Sequence, residues 1–219
     1  MRRRALFPLA VAAISGCGSA TTDELPPAAG PARAPAPTAT PAGRTLAADQ
    51  APAGLAFAPP TRALVNGRLA VLAPRARTLT LIDRRTHEQL ERVPAGLGPT
   101  HVLAVADRLY VTDTQGGALL VFATRPELVL TRRVFLPGAP YGIAVDPVRH
   151  RLWVTLTARS EVVSLPANGR PRPLVRLATI RRPDRVAVDS ATGTVAVAGP
   201  DAGVLQLIGA REAYDEDER

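Results

Sequence analysis

Short stretches of alternating apolar and polar residues recur at a nearly constant spacing along this chain. Four of them share the same neighbours and lie at residues 68–71, 108–111, 151–154 and 194–197. The steps between their matching positions are 40, 43 and 43 residues, counted from Leu69 through Leu109 and Leu152 to Val195. Such alternation is typical of β-strands, which point successive side chains to opposite faces of a sheet. A repeat of this length that contains only strand signals predicts the four-stranded blades of a β-propeller.

Each repeat has further strand-like runs around this central segment. The runs before it lie at residues 62–65, 102–106, 142–146 and 186–189, and the runs after it at 79–82, 119–122, 162–165 and 204–208. Outer strands are predicted at 89–93, 128–135 and 174–177. The fourth repeat has no outer strand, because acidic residues follow Ile208 within a few positions. We therefore expect the segment from Gly54 to Phe57 to supply it from the N-terminal side.

Several of these segments resemble the YVTN β-propeller repeat, which has a V-x-D-P stretch, an L-Y-V-T-N strand and an S-V-I-D-x-x-T strand and turn. The matching segments are residues 79–86, 109–113, 141–147 and 152–155. The resemblance covers residues 60 to 210, and it departs from the family where Asp113 and Leu156 replace the Asn that follows Val-Thr. It implies an all-β fold but says little about activity, because such propellers occur in surface proteins, redox-enzyme subunits and uncharacterised envelope proteins.

The number of repeats raises the question of how the ring closes. YVTN-type propellers usually have about six or seven blades, whereas residues 61–210 supply four. A blade cannot bury both its faces alone. A four-bladed ring closed by one chain is the expected solution, and a ring shared by two chains or an open, partial propeller are the alternatives.

The N-terminus has the features of a bacterial lipoprotein signal peptide. Three arginines precede an apolar run of about ten residues, which is too short to span a bilayer as a helix. The sequence Ile14-Ser15-Gly16-Cys17 resembles a lipobox. That resemblance implies cleavage before Cys17, diacylglycerol on its sulfur and acylation, such as palmitate, of the new amino terminus. Residues 3–7 also resemble a twin-arginine export signal, so the export route stays open.

The residues that follow predict a spacer. Residues 17–60 hold the predicted lipidated Cys17 and a Pro/Ala-rich stretch with nine prolines, which cannot bury enough apolar surface to offset its ordering entropy. This composition predicts a disordered, extended linker that holds the domain off a membrane. The final residues, 211–219, are predicted to be an acidic tail.

Composition changes this picture in two respects. The single cysteine excludes internal disulfides and Cys-rich metal sites. All 27 basic residues are arginine, and residues 61–210 carry 20 of them against 11 acidic residues. The simpler interpretation of this excess is that arginine serves as a general solubilising residue, and the alternative is a basic face that attracts phospholipid headgroups or anionic envelope polymers. A protein is the other partner that we consider. We expect no nucleic-acid partner for an exported chain.

Candidate chemistry is sparse. The three histidines, His87, His101 and His150, lie in separate turns or strand starts and form no metal motif; His101 alone falls where a propeller channel opens. Asp146 and Asp189 occupy matching places in two repeats and are the candidate calcium ligands. The simpler interpretation is that each carboxylate binds backbone amides of the following turn. Tyr110 and Trp153 are expected to pack between blades.

These observations predict a membrane-anchored, exported lipoprotein, on the cell membrane or the outer membrane, that displays a noncatalytic propeller for binding or scaffolding. No catalytic residue and no cofactor motif is identified. The alternatives are a calcium-dependent propeller hydrolase or lactonase built around Asp146 and Asp189, and an accessory subunit of an envelope redox enzyme.

Overall fold

A computed structural model describes residues 27–35, 37–47, 61–200 and 203–214, and almost all of its secondary structure is β. One short strand, Arg44–Ala47 (β1), precedes the repeats. The first repeat comprises Arg62–Val65 (β2), Arg68–Ala73 (β3), Thr78–Asp83 (β4) and Gln89–Pro94 (β5). The second comprises Pro99–Val105 (β6), Arg108–Asp113 (β7), Ala118–Ala123 (β8) and Val129–Phe135 (β9).

The last two repeats follow the same order. The third comprises Pro140–Asp146 (β10), Arg151–Leu156 (β11), Glu161–Pro166 (β12) and Val175–Ala178 (β13). The fourth comprises Arg185–Asp189 (β14), Thr194–Ala198 (β15) and Val204–Ile208 (β16). A helical turn, Ala210–Tyr214 (α1), comes next. The strand positions predicted from the repeat pattern are therefore confirmed.

Four separate antiparallel sheets of four strands each form a β-propeller. Their orders are β2-β3-β4-β5, β6-β7-β8-β9, β10-β11-β12-β13 and β1-β16-β15-β14. The first strand of each repeat lies innermost, and β2, β6, β10 and β14 contact one another in turn. Each sheet meets the next through an apolar core because both faces of its strands carry Val, Leu and Ile.

An N-terminal strand completes the fourth sheet, but it is not the expected one. β1 pairs with β16 in antiparallel register, with Arg44 opposite Leu207 and Ala47 opposite Val204. The predicted segment, Gly54 to Phe57, lies outside the described residues. The strand was missed because Arg44–Ala47 follows a Pro-rich stretch whose composition favours a disordered linker. Part of the predicted linker is therefore an element of the propeller.

Aromatic side chains fill the spaces between sheets as predicted. Tyr110 and Trp153, both at 0% exposure, hold the same position in the second strands of the second and third sheets. Tyr110 packs against the third sheet and Trp153 against the fourth. The hydroxyl of Tyr110 also donates to the carbonyl oxygen of Ala167 at 2.8 Å, so its polar tip is satisfied.

The helical turn α1 is anchored under the fourth sheet. Ala213 is fully buried, and Tyr214 packs edge-on against Trp153 with ring centroids 5.7 Å apart. The backbone N–H of Gly43, just before β1, donates to Glu212 Oε1 at 2.9 Å. Residues 211–214, predicted as part of an acidic tail, are thus folded against the propeller.

Apolar cores join neighbouring sheets along the chain. Three of them join the first sheet to the second, the second to the third and the third to the fourth. A smaller buried cluster lies on the other face of the fourth sheet and comprises Ala187, Ala196, Leu205 and Leu207. The outward face of the first sheet exposes Leu64 at 60% and Leu90 at 43%. Closure of the ring by one chain stays a prediction.

None of the helices that the structure describes is long and apolar enough to cross a bilayer.

Removing β1 should destabilise the propeller. Deletion of residues 44–47 leaves β16 as an unpaired edge, and each lost backbone hydrogen bond is worth roughly 1 kcal/mol. We expect the free energy of unfolding to fall by about 2 to 4 kcal/mol in urea denaturation. Deletion of residues 20–23 shortens the same linker equally and should leave stability unchanged. Equal stability of the two deletions would show that β1 does not support the fold.

Candidate functional site at the start of the inner strands

The inner strands begin with a shared pattern in which a proline precedes two variable residues. Pro99, Pro140 and Pro183 lie at or just before the starts of β6, β10 and β14. Proline is tolerated at the first residue of a strand because its missing N–H is not needed there. The pairing of β6 with β7 and of β10 with β11 is also irregular just after the proline. The following residues are therefore presented at the end of the inner strands.

His101 and Tyr141, from neighbouring sheets, meet at this end. Their rings lie edge to face, with centroids 4.9 Å apart and planes at 67°. The Nδ1 atom of His101 is buried and has no hydrogen-bond partner among the described residues. Burial, reinforced by the positive charge of Arg185, lowers the pKa of His101 from 6.5 to about 4. His101 is therefore a neutral imidazole at neutral pH.

Arg185 and Asp184 bring charge from the fourth sheet to the same place. Burial and the Asp184 carboxylate raise the pKa of Tyr141, and Arg185 partly opposes them. Arg185 is exposed, and its side chain makes no hydrogen bond or ion pair within the described part of the chain. We call His101, Tyr141, Asp184 and Arg185 the axial cluster.

A glycine allows the third and fourth inner strands to approach closely. A Cβ atom on Gly142 would lie 2.7 Å from the carbonyl oxygen of Asp184 and 3.2 Å from the Cα of Arg185. Any other residue would push β14 away from β10. Gly142 thus keeps Asp184 and Arg185 beside Tyr141.

Three threonines hold the second and third inner strands together. The Oγ1 of Thr100 lies 3.0 Å from that of Thr112 and 2.8 Å from that of Thr114. Thr112 donates to the carbonyl oxygen of Tyr141 at 2.7 Å, and Thr114 donates to that of Pro140 at 2.7 Å. These buried hydroxyls are saturated by the backbone, so they position Tyr141 and offer no free nucleophile.

Asp113, the last residue of β7, has a structural role. Its Oδ1 accepts hydrogen bonds from the backbone N–H groups of Leu97, Gly98 and Gly116, at 3.0, 2.8 and 3.1 Å. Its Oδ2 lies 3.3 Å from Arg133 Nη2. The fully buried carboxylate therefore ties the turn before β6 to the turn after β7.

The candidate calcium ligand Asp146 is also occupied within the protein. Its Oδ1 accepts the N–H groups of Val148 and Arg149, at 3.0 and 3.1 Å. Its Oδ2 accepts the Tyr214 hydroxyl at 2.7 Å and Arg149 Nη1 at 3.1 Å. Burial alone would raise the pKa of Asp146, but these hydrogen bonds outweigh it and hold the pKa below its ordinary value.

Asp189 forms the equivalent turn in the fourth repeat. Its Oδ2 accepts the Thr192 hydroxyl at 2.7 Å and its Oδ1 accepts the Ala191 N–H at 3.0 Å, and these bonds lower its pKa. Arg149 lies between the two turns, since its Nη1 bonds both Asp146 and the Ser190 carbonyl oxygen, the latter at 2.9 Å. The predicted turn role of the aspartates is confirmed.

No group of three potential metal ligands occurs in the described residues.

The remaining predicted residues, two histidines and the lipobox, take no part in this site. His87 and His150 are exposed turn residues with positive φ angles of 62° and 53°. The lipobox residues Ile14, Ser15, Gly16 and Cys17 lie outside the described residues.

The sequence analysis missed Tyr141, Arg185 and Tyr214 as functional or anchoring residues. The sequence did indicate the first two, once the inner strands are aligned on their prolines. Tyr141 and Asp184 then share the position after the proline, and His101, Gly142 and Arg185 share the next one. Nothing in the repeat pattern indicated that Tyr214 would reach Asp146.

The fold is similar to that of several solved propeller structures. Hydrazine synthase from Kuenenia stuttgartiensis matches with 16% identity and a TM-score of 0.53, over 75% of this chain and 53% of that one. The Cps50 (Swd1) β-propeller domain from Myceliophthora thermophila matches with 15% identity and a TM-score of 0.56, over 67% and 52%. Dihydro-heme d1 dehydrogenase NirN matches with 20% identity and a TM-score of 0.58, over 71% and 34%.

These similarities show the fold alone, because the identities are low. The chain spans about half, or less, of the length of these structures. No protein-family model and no curated protein matches this chain.

The buried neutral state of His101 predicts a pH-dependent stability. The unfolded chain binds a proton near pH 6.5, whereas the folded chain does so only near pH 4. Stability is therefore complete above pH 6.5 and is lost progressively as the pH falls towards 4. We expect His101→Gln to remove this loss between pH 6.5 and 5, measured by urea denaturation. The exposed control His87→Asn should keep it; loss of the dependence in both variants would contradict the assignment.

Proposed function

We propose that this chain is a noncatalytic β-propeller binding or scaffolding module with YVTN-type repeats, held outside the cytoplasm by a lipid on Cys17. The observation that carries the proposal is the use of the polar side chains. The buried threonines and aspartates that could serve chemistry are bound to backbone groups or arginine. Their arrangement supports a rigid scaffold.

The axial cluster is the candidate ligand contact of this scaffold. Arg185 is exposed and uncommitted within the described residues, and Tyr141 and the neutral imidazole of His101 flank it. A guanidinium beside aromatic edges suits a ligand with an acidic group and a flat apolar part. None of these groups forms a nucleophile and base pair with another described side chain, so binding explains the cluster better than catalysis.

The position of the linker supports a tethered module. The residues after Cys17 lead to β1, which is hydrogen-bonded into the fourth sheet. A pull on the linker is therefore borne by the backbone ladder of β1 and β16.

The lipid anchor is tested by Cys17→Ser. This variant removes the sulfur that the lipobox resemblance marks for acylation, so the protein should leave the membrane fraction or remain unprocessed. Mass spectrometry of the N-terminal peptide should detect acyl groups in the parent alone. Ser15→Ala keeps a small residue in the lipobox and should be acylated normally. Unchanged acylated membrane attachment of Cys17→Ser would overturn the proposed anchor.

The rival function, a calcium-dependent hydrolase or lactonase around Asp146 and Asp189, gives a different result. Because both carboxylates are bound within turns, removal of divalent ions with a chelator should leave the unfolding temperature unchanged. Added calcium should not raise it. A clear fall with chelator, restored by calcium but not by magnesium, would favour the hydrolase instead.

A further inference from the structure

The two ends of the propeller differ in how their charges are arranged. We call the end at which the inner strands begin the linker end. Its turns, at residues 74–77, 95–98, 114–117, 136–139, 157–160 and 179–184, contain five arginines and one acidic residue, Asp184, and the connection from β15 to β16, residues 199–203, adds Asp201. Two inner strands add Arg62 and Arg185 at their first positions. Basic side chains therefore dominate the turns of this end.

The remaining acidic groups near the linker end are neutralised locally. Asp113 is buried and lies beside Arg133, and Glu161, the first residue of β12, is paired with Arg176 at 3.1 Å. In contrast, Arg62, Arg77, Arg159 and Arg185 are all exposed. Their side chains make no hydrogen bond or ion pair with other residues that the structure describes.

The opposite end mixes both signs of charge. Its turns carry six arginines, but also Glu88, Asp107 and Glu127, and strands end there with Asp83, Asp146 and Asp189. Arginines that begin strands at this end are engaged: Arg68 lies 3.7 Å from Glu91, and Arg108 donates to the Gly169 carbonyl oxygen at 2.9 Å. The acidic residues 215–218 also follow directly on Tyr214, which is anchored there by Asp146.

The linker first meets the propeller at its basic end. The backbone N–H of Ala32 donates to Thr157 Oγ1 at 3.1 Å, in the turn after β11. Arg181, in the turn before β14, donates from Nε to the carbonyl oxygen of Ala34 at 3.0 Å, and Ala34 is 5% exposed. Ala32 lies fifteen positions after Cys17, and at about 3.6 Å per extended residue this stretch spans at most about 54 Å.

We propose that the linker end of the propeller docks on an anionic lipid surface, with Arg62, Arg77, Arg159, Arg181 and Arg185 as its contacts. This proposal rests on the proposed lipid anchor at Cys17, which would bring the domain to a membrane. The short linker would then hold the linker end close to the bilayer. Arginines near an anionic leaflet add to the binding strength individually, and the attraction falls off within a Debye length. The excess of exposed arginines over acidic residues at this end suits such contact.

The test uses the processed chain from residue 17 with Cys17→Ser, which keeps every described residue and carries no lipid. Sedimentation is measured with vesicles of phosphatidylcholine alone, or with phosphatidylglycerol added. We expect binding to the anionic vesicles only, and release when the salt concentration is raised. The triple variant Arg62→Gln, Arg77→Gln and Arg159→Gln, which leaves the axial cluster intact, should bind more weakly by about tenfold or more.

A matched control removes the same charge from the opposite end. Arg84→Gln, Arg85→Gln and Arg172→Gln together should bind anionic vesicles like the parent. Equal weakening of both triple variants, or no binding by the parent at low salt, would overturn the inference. Binding to soluble long-chain polyphosphate without binding to vesicles would also overturn it, in favour of an anionic polymer. Thermal unfolding of each variant establishes that it is folded.

The vesicle-binding experiment does not depend on whether Cys17 carries a lipid. Failure to find acyl groups on Cys17 would overturn the proposed lipid attachment while leaving vesicle binding, measured without lipid, unchanged. Failure of vesicle binding would overturn the docking surface and leave the proposed binding module in place.

Discussion

The structure depends on the burial of apolar sheet faces between neighbouring four-stranded sheets. A sheet with Val, Leu and Ile on both faces is stable only when neighbours cover them, and here Tyr110 and Trp153 fill the deepest gaps between neighbouring sheets. This requirement explains the radial stacking of four repeats. A separate interaction, backbone hydrogen bonding along the strand edge, joins β1 to β16 and gives the fourth sheet its outermost strand.

The buried polar residues form hydrogen bonds that hold the stacked sheets and their turns together. Thr112 and Thr114 bind carbonyl groups of the neighbouring inner strand, and Asp113 ties two turns with a single carboxylate. At the opposite end, Asp146 accepts hydrogen bonds from its own turn and from Tyr214. Because buried polar groups must be satisfied, these repeated positions are committed to the scaffold. The side chains left for recognition are those at the ends of the strands.

The arginines illustrate why charge has to be placed in three dimensions. Along the chain they are spread through every repeat, and their excess over acidic residues indicates only a basic domain. The alternation of strand direction sends Arg77 and Arg159 to one end and Arg84 and Arg85 to the other. The acidic residues are concentrated at the second end, so the folded domain has a basic end and a mixed end. The proposed lipid contact depends on that separation.

The sequence alone determined the repeat length, nearly every strand, the packing role of Tyr110 and Trp153 and the turn role of Asp146 and Asp189. These features follow from local periodicity and turn chemistry, which a single segment contains. Tertiary structure decided that Arg44–Ala47 completes the fourth sheet, that Tyr214 reaches Asp146 and that His101, Tyr141 and Arg185 meet. Those contacts join residues far apart in the chain, and short-range pattern carries no information on which distant partner a strand edge or a side chain will find.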